Sequence, residues 1–75
     1  MELADAVKTA LSAGGLSQGE FAEVLGMTKQ AVGNKMTRGS WTGSELIKLA
    51  KCTKGKLLIE YPDGTRIVFG DQDPE

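Results

Sequence analysis

The sequence of 75 residues predicts a mainly α-helical fold in which four short helices precede a C-terminal β-hairpin. Apolar residues recur at helical spacing through the first two thirds of the chain. Two of the helical segments open with a Ser or Thr three positions before a Glu, the pattern of a capping box. After residue 56 the pattern changes to β-rich alternation around Pro-Asp-Gly. A chain of this length builds one small core, so residues 1–70 are assigned to a single domain.

The first helix is predicted over residues 2–13. Leu3, Val7 and Leu11 recur every four positions and give it one apolar face. Two consecutive glycines follow and end the helix. Its expected role is to pack against the next two helices, and we assign it no chemistry.

Residues 16–39 contain two short helical patterns separated by Gly26. Ser17 and Glu20 form a capping box at the start of the first pattern, and Thr28 is the expected cap of the second. Gly26 adopts a positive φ without steric cost and so allows a tight turn between them. The residues predicted to face inward are Phe21, Val24, Leu25, Val32 and Met36.

The outer side of the second pattern is polar and carries no acid. The residues left for solvent there are Lys29, Gln30, Asn34 and Lys35. Gln and Asn amides pair with adenine in the major groove, while Lys donates to guanine or to phosphate. No acid occurs between Glu23 and Glu45. This composition is typical of a helix that lies against phosphates.

These two patterns resemble the helix-turn-helix of the phage repressor/Cro family, the XRE-like regulators. The resemblance rests on residues 16–18, 20–22, 25–28, 30–32 and 38–39, and it continues through residues 44–50, so that it covers about half of the chain. It implies the four-helix domain of λ repressor and Cro. One departure is that Lys35 stands where the family usually has an apolar residue, and Met36 is expected to take over that packing.

The resemblance also implies roles for individual residues. Gln18, which opens the first helix of the pair, takes the family's phosphate contact. The base-reading positions are those of Thr28, Lys29, Gln30 and Asn34. Lys35 and Arg38 are expected to contact phosphates as well, from their charge and position. The alternative for Arg38 is an ordinary solvated surface charge.

A fourth helix is predicted over residues 43–53. Thr42 and Glu45 form a second capping box at its start. Trp41 precedes this box and is expected to be a core residue or to staple onto Leu46 rather than to bind a ligand.

Residues 57–61 and 65–69 alternate as two strands of a hairpin around a Pro-Asp-Gly turn, which spans about residues 56–69 in all. One face is expected to cover the helices and to consist of Leu57, Ile59, Tyr61, Ile67 and Phe69. Leu58 and Val68 are then expected on the outer face, in the interface of a homodimer, because some Cro-type proteins dimerise through such strands. The alternative is a hairpin that only completes the core of the monomer. Residues 71–75 are predicted to form a flexible acidic tail.

The net charge of −1 is unusual for a DNA-binding protein, but its distribution is uneven. Residues 24–59 hold seven Lys and Arg against a single acid, whereas the rest of the chain holds two against nine. The sequence therefore predicts a basic side and an acidic side. Chance clustering of surface charge is the alternative, and the overlap with the helix pair argues against it.

The composition argues against several other functions. The chain has no His and only one Cys, Cys52, so no metal site, catalytic triad or internal disulfide is expected. No glycine-rich phosphate loop follows a strand. We therefore expect no enzyme, no cofactor and no small-molecule effector. There is no membrane-spanning run or signal peptide, so a cytoplasmic protein is expected. The resemblance to the phage repressor/Cro family implies that it is bacterial or phage-encoded.

Three functions remain after these exclusions. The favoured one is sequence-specific binding of double-stranded DNA by a Cro/repressor-like transcriptional regulator that acts as a two-fold dimer. The second is a protein-interaction module that keeps the helix pair as a scaffold. The third is an architectural DNA-binding component of a mobile-element assembly.

Overall fold

The computed structural model describes residues 1–70, and the predicted flexible tail at 71–75 lies outside them. Residues 1–70 form four helices and one two-stranded antiparallel sheet, and the bounds are α1 Leu3–Gly14, α2 Gln18–Leu25, α3 Lys29–Arg38, α4 Gly43–Cys52, β1 Leu57–Glu60 and β2 Arg66–Phe69. The predicted bounds of α1, α4 and both strands are correct to within one residue. A mainly α-helical chain with a C-terminal β-hairpin is confirmed.

Local signals set the helix ends as predicted. The Ser17 hydroxyl accepts from the amide of Glu20 at 3.1 Å, and the Glu20 carboxylate accepts from the Ser17 amide at 2.7 Å. Thr42 and Glu45 make the same pair of bonds at 3.2 and 2.9 Å. Both capping boxes are therefore formed, and each satisfies amides that a helix start leaves without partners.

The core lies between the four helices and consists of Val7, Leu11, Phe21, Ala22, Val32, Met36 and Leu49. Val24, which was predicted to face inward, is instead exposed. The buried side of α2 runs through Phe21, Ala22 and Leu25, and Val24 lies about 110° around the helix from it. Trp41 packs against the core, with its ring 5.8 Å from that of Phe21.

The end of α1 packs closely against the end of α4. A Cβ atom at Gly14 would lie only 2.6 Å from the Cβ of Thr53. The Thr53 hydroxyl donates to the carbonyl of Leu49 at 2.7 Å, which holds this side chain in place. Gly14 is therefore needed because α1 and α4 approach each other closely at this point, and not only because it lies at the end of a helix.

The hairpin has the predicted Pro-Asp-Gly turn. Ile59 pairs with Ile67 across the strands. The amide of Tyr61 donates to the Thr65 carbonyl at 2.9 Å, which closes a three-residue loop in which Gly64 has a φ of 93°. The Asp63 carboxylate accepts from the Thr65 amide at 2.9 Å, and this bond lowers the pKa of Asp63.

The prediction of which hairpin face is covered is wrong. The four large side chains expected to cover the helices are 40 to 45% exposed, and they are Ile59, Tyr61, Ile67 and Phe69. Leu58 and Val68, which were expected on the outer face, are half-buried.

The reason is that the hairpin contacts the helices mainly at its base. Leu57 lines an apolar groove of about 380 Å³ between α1 and α4. At the other strand end, a Cβ atom on Gly70 would overlap Ile47 of α4. Beyond these contacts the strands project, so the face that contains Ile59 and Ile67 lies open to solvent.

Candidate nucleic-acid interface

The turn between α2 and α3 orients the second helix of the pair. Gly26 ends α2 with a φ of 71°. The amide of Met27 then donates to the Ala22 carbonyl at 3.0 Å, which closes the turn. Thr28 caps α3, because its hydroxyl accepts from the amide of Ala31 at 3.1 Å. The predicted helix, tight turn and helix are therefore present.

The outer side of α3 carries most of the predicted base-reading residues. Val32 and Met36 are buried on the inner side, which attaches the helix to the core. Lys29, Gln30 and Asn34 are all exposed. Gln30 and Asn34 lie one turn apart on the same face, so that both amides point to the same side of the helix.

Thr28 differs from these three residues. It is exposed, but its hydroxyl already accepts the hydrogen bond that caps α3. Its hydroxyl proton remains able to donate to an acceptor at the start of the helix. The structure thus places Thr28 beside Lys29 and Gln30 while giving it a structural task as well.

Gln18, the predicted phosphate contact, lies where α2 crosses α3. It is half-buried, and its amide nitrogen is 3.6 Å from the position that a Cβ atom on Gly33 would occupy. The aliphatic part of Lys29 approaches Gly19 in a similar way, at 3.9 Å from its added Cβ. The start of α2 is therefore next to the first two turns of α3, and Gln18 and Lys29 belong to one surface.

The structure gives Lys35, another predicted phosphate contact, a different set of partners. Its ammonium lies 3.1 Å from the Glu45 carboxylate and 3.2 Å from the Ser40 carbonyl, to which it donates. It also lies 5.7 Å from the centre of the Trp41 ring, a cation–π distance. The Lys35 side chain is 25% exposed. Lys35 therefore joins α3 to the loop before α4, and the expectation that it is left for solvent is wrong.

Glu45 is the centre of this arrangement. The Thr42 amide donates to its carboxylate, and the nearby Lys35 ammonium adds a second favourable interaction. The Thr42 bond and then the ammonium hold the pKa of Glu45 below its ordinary value of 4.5, against the opposing effect of burial. The single acid between residues 24 and 59 is thus neutralised within the protein.

Arg38 ends α3 and is exposed, as is Ser40 in the loop that follows. Gly39 between them adopts a φ of 66° and ends the helix. Lys29 is exposed at the start of α3 and Arg38 at its end, and two exposed amides, Gln30 and Asn34, lie between them along the helix. Lys48 on α4 adds another exposed cation to the basic part of the chain.

Thr37 lies on the same outer face and is not among the residues that the sequence singled out. It is exposed, three positions after Asn34 and seven after Gln30, which is two turns of helix. This helical spacing was visible in the sequence and could have identified Thr37 as a residue of the same face.

Other sites are not supported in the described part of the chain. No group of three or more His, Cys, Asp or Glu among residues 1–70 is placed to hold a metal ion. Burial raises the pKa of the Cys52 thiol, which donates to the Leu49 carbonyl at 3.4 Å. No helix within residues 1–70 has the length and hydropathy needed to cross a bilayer.

Comparison of the chain with protein-family profiles, with characterised proteins and with solved structures gives no match.

Proposed function

We propose that this protein binds double-stranded DNA in a sequence-specific manner, as a Cro/repressor-like transcriptional regulator that acts as a two-fold dimer. The main support is the outer face of α3, where Gln30 and Asn34 stand exposed between Lys29 and Arg38. A helix with this face fits the major groove, where amides read adenine edges and cations contact guanine or phosphate.

The proposal gives each group a role that fits its surroundings. Gln30 and Asn34 read base edges, with Lys29 and Thr28 beside them at the start of the helix. Gln18 and Arg38 contact phosphates and set the register of the protein on the duplex. Lys35 is given a structural role and not a phosphate contact, because its ammonium is already paired with the Glu45 carboxylate and the Ser40 carbonyl.

The proposed dimer uses the open face of the hairpin. Its four exposed apolar side chains together present on the order of 300 to 400 Å², the size of patch that often marks an interaction site. They are Ile59, Tyr61, Ile67 and Phe69. This face replaces the one that contains Leu58 and Val68, which the monomer already half-buries.

The test of DNA binding is selection from a randomised duplex library, followed by sequencing of the enriched pool. We expect an inverted repeat with half-sites about 34 Å apart, which is one helical turn of DNA. Gln30→Ala should then lose about 1–3 kcal/mol on the selected site and relax the preference at one position. Equal weakening on every sequence would remove Gln30 from the base-reading set.

The salt dependence of binding separates phosphate contacts from structural cations. Arg38→Ala should lower the slope of log K against log salt by about 0.9, the value for one phosphate contact. Lys35→Ala should leave this slope unchanged. Lys8→Ala, at an exposed position of α1, is the matched control and should also leave it unchanged. A lower slope for Lys35→Ala would return Lys35 to the phosphate contacts.

The dimer is tested by sedimentation equilibrium. Ile67→Glu should yield monomers, because it places a charge in the proposed interface. Val24→Glu puts the same charge on a comparably exposed apolar position of α2 and should remain dimeric. A dimer that persists with Ile67→Glu would exclude this face.

The open hairpin face also favours the second function, a protein-interaction module. Failure of the library to enrich any sequence, with the protein folded and no binding to duplex DNA at low salt, would support it. Tight binding without sequence preference would instead support the architectural role.

A further inference from the structure

We infer that Thr37 reads the methyl group of a thymine, an inference that rests on the proposed DNA binding. Thr37 is exposed on the last turn of α3. Its hydroxyl donates to the carbonyl of Gly33 at 3.1 Å, one turn earlier in the same helix. This bond commits the hydroxyl proton to the helix backbone. The hydroxyl can then only accept a hydrogen bond, and the major-groove edge of thymine offers an acceptor and a methyl but no donor. Toward thymine, the group that Thr37 offers is therefore its methyl, and the methyl of threonine is one of the groups that contact the thymine methyl.

The position of Thr37 supports this role. The buried side of α3 is defined by Val32 and Met36, and Thr37 lies on the opposite half of the helix together with Gln30 and Asn34. The three residues follow one another along the helix at intervals of four and three positions, so they form a single row. A duplex that contacts the two amides is therefore next to Thr37 as well.

Gly33 allows the backbone of α3 to approach the bases closely, which the contact by Thr37 also requires. A threonine side chain is short and reaches a base edge only if the helix backbone comes near it. Gly33 lies one turn before Thr37, and apart from the Gln18 amide nothing would meet a Cβ there within 4 Å. No side chain therefore projects from α3 at position 33, so the helix backbone beside Thr37 is able to come closer to a groove there than a larger residue would allow.

The experiment uses the duplex enriched by library selection and replaces each thymine in turn by deoxyuridine, which lacks only the 5-methyl group. For the wild-type protein we expect one position per half-site to lose about three- to fivefold in affinity, the effect of one buried methyl group. Thr37→Ser keeps the hydroxyl and removes the methyl, so it should bind thymine and deoxyuridine equally well at that position. Thr37→Val keeps a methyl and removes the hydroxyl, so it should retain the preference for thymine.

Thr9→Ser is the matched control, because Thr9 is an exposed threonine that belongs to α1 and not to α3. It should show the wild-type preference. Circular dichroism of each variant checks that the helical content of the protein is unchanged.

Several results would overturn the inference. They are a selected site with no thymine that responds to deoxyuridine, a Thr37→Ser variant that keeps the full preference, and a Thr37→Ser variant that weakens all sequences equally. These outcomes differ from failure of the proposed function, in which no sequence would be enriched at all.

Discussion

The helix pair and the hairpin are both recognisable from the sequence, yet they differ in how their surfaces are used. In the helix pair, α3 buries Val32 and Met36 and exposes a polar face. In the hairpin, the strands and the turn form as their pattern predicts, but the face with Ile59 and Ile67 remains open. A local pattern thus defines an element, whereas the burial of its faces depends on what the rest of the chain places against it.

The largest expected effect compares one phenylalanine from each region. Phe21→Ala should lower the free energy of unfolding by about 3–5 kcal/mol, because Phe21 is fully buried and its loss leaves a cavity. Phe69→Ala removes the same atoms from a side chain that is 40% exposed and should cost about 1 kcal/mol in the monomer. Urea denaturation followed by circular dichroism measures both.

Protein concentration sharpens the same experiment. If the hairpin face is the dimer interface, the loss of stability caused by Phe69→Ala should increase with protein concentration. The loss caused by Phe21→Ala should not increase, because this variant and the wild type are stabilised by dimerisation to the same extent. Equal costs for the two variants in dilute protein would contradict the difference in burial between the regions.

The next effect concerns the packing of α1 on α4. Gly14→Ala should lower the free energy of unfolding by about 1–3 kcal/mol, because its Cβ overlaps a Thr53 side chain that is held by a hydrogen bond. Gly43→Ala is the control, since nothing lies within 4 Å of a Cβ at that helical position, and it should be neutral or slightly stabilising. Thermal unfolding of both variants decides the matter; a neutral Gly14→Ala would mean that the two helices separate at little cost.

Two ion pairs among the described residues, Lys35–Glu45 and Glu60–Arg66, give a third comparison. Glu45→Gln should cost about 1–2 kcal/mol at pH 7, because the Lys35–Glu45 pair at 3.1 Å is three-quarters or more buried at both side chains. Glu60→Gln breaks the Glu60–Arg66 pair at 3.4 Å on the exposed hairpin and should have little measurable effect.

Acid conditions test the cause of the Glu45 effect. The pKa of Glu45 is lower in the folded protein than its ordinary value of 4.5, so the unfolded chain takes up the proton first as the pH falls. Its stabilising contribution is therefore complete above pH 4.5 and is lost as the pH falls through the folded pKa. The stability difference between wild type and Glu45→Gln should shrink over that range. A difference that stays constant as the pH falls well below 4.5 would assign it to packing instead of charge.

The smallest effect concerns the connection between α4 and the hairpin. Lys54 follows α4 with a φ of 63°, in the left-handed region that disfavours a side chain. Lys54→Gly should therefore raise the free energy of unfolding by about 1 kcal/mol, as measured in urea. Lys56→Gly, a nearby exposed position without positive φ, is the control and should not stabilise the protein.

The sequence predicted the parts of this structure that depend on neighbours within a few positions. Both capping boxes, the left-handed Gly26 and the turn at Asp63 depend on residues two to four apart. The exposure of Gln30 and Asn34 followed from the phase of a helix whose inner residues were clear, whereas Lys29 is exposed as the first residue of that helix.

Two of the three errors, those at Lys35 and at the hairpin, involve residues distant in sequence. Lys35 meets Glu45 ten positions later, and no helical spacing indicates that contact. The exposure of Ile59 and Ile67 depends on where the hairpin joins α4, and both faces of the hairpin offered apolar side chains. Val24 was mistaken because an apolar residue at the edge of a short helix fits the buried and the exposed side about equally well.

Trp41 has a practical consequence that comes from its position. It is the only tryptophan of the chain, and its ring contacts both Phe21 of the core and the Lys35 ammonium. Its fluorescence should therefore change on global unfolding, which separates it from Phe21. It should also change when the loop after Arg38 moves, which separates it from the Lys35 ammonium. The native chain thus carries an optical probe beside the proposed DNA-binding surface, so that loop movement is measurable in the unlabelled protein.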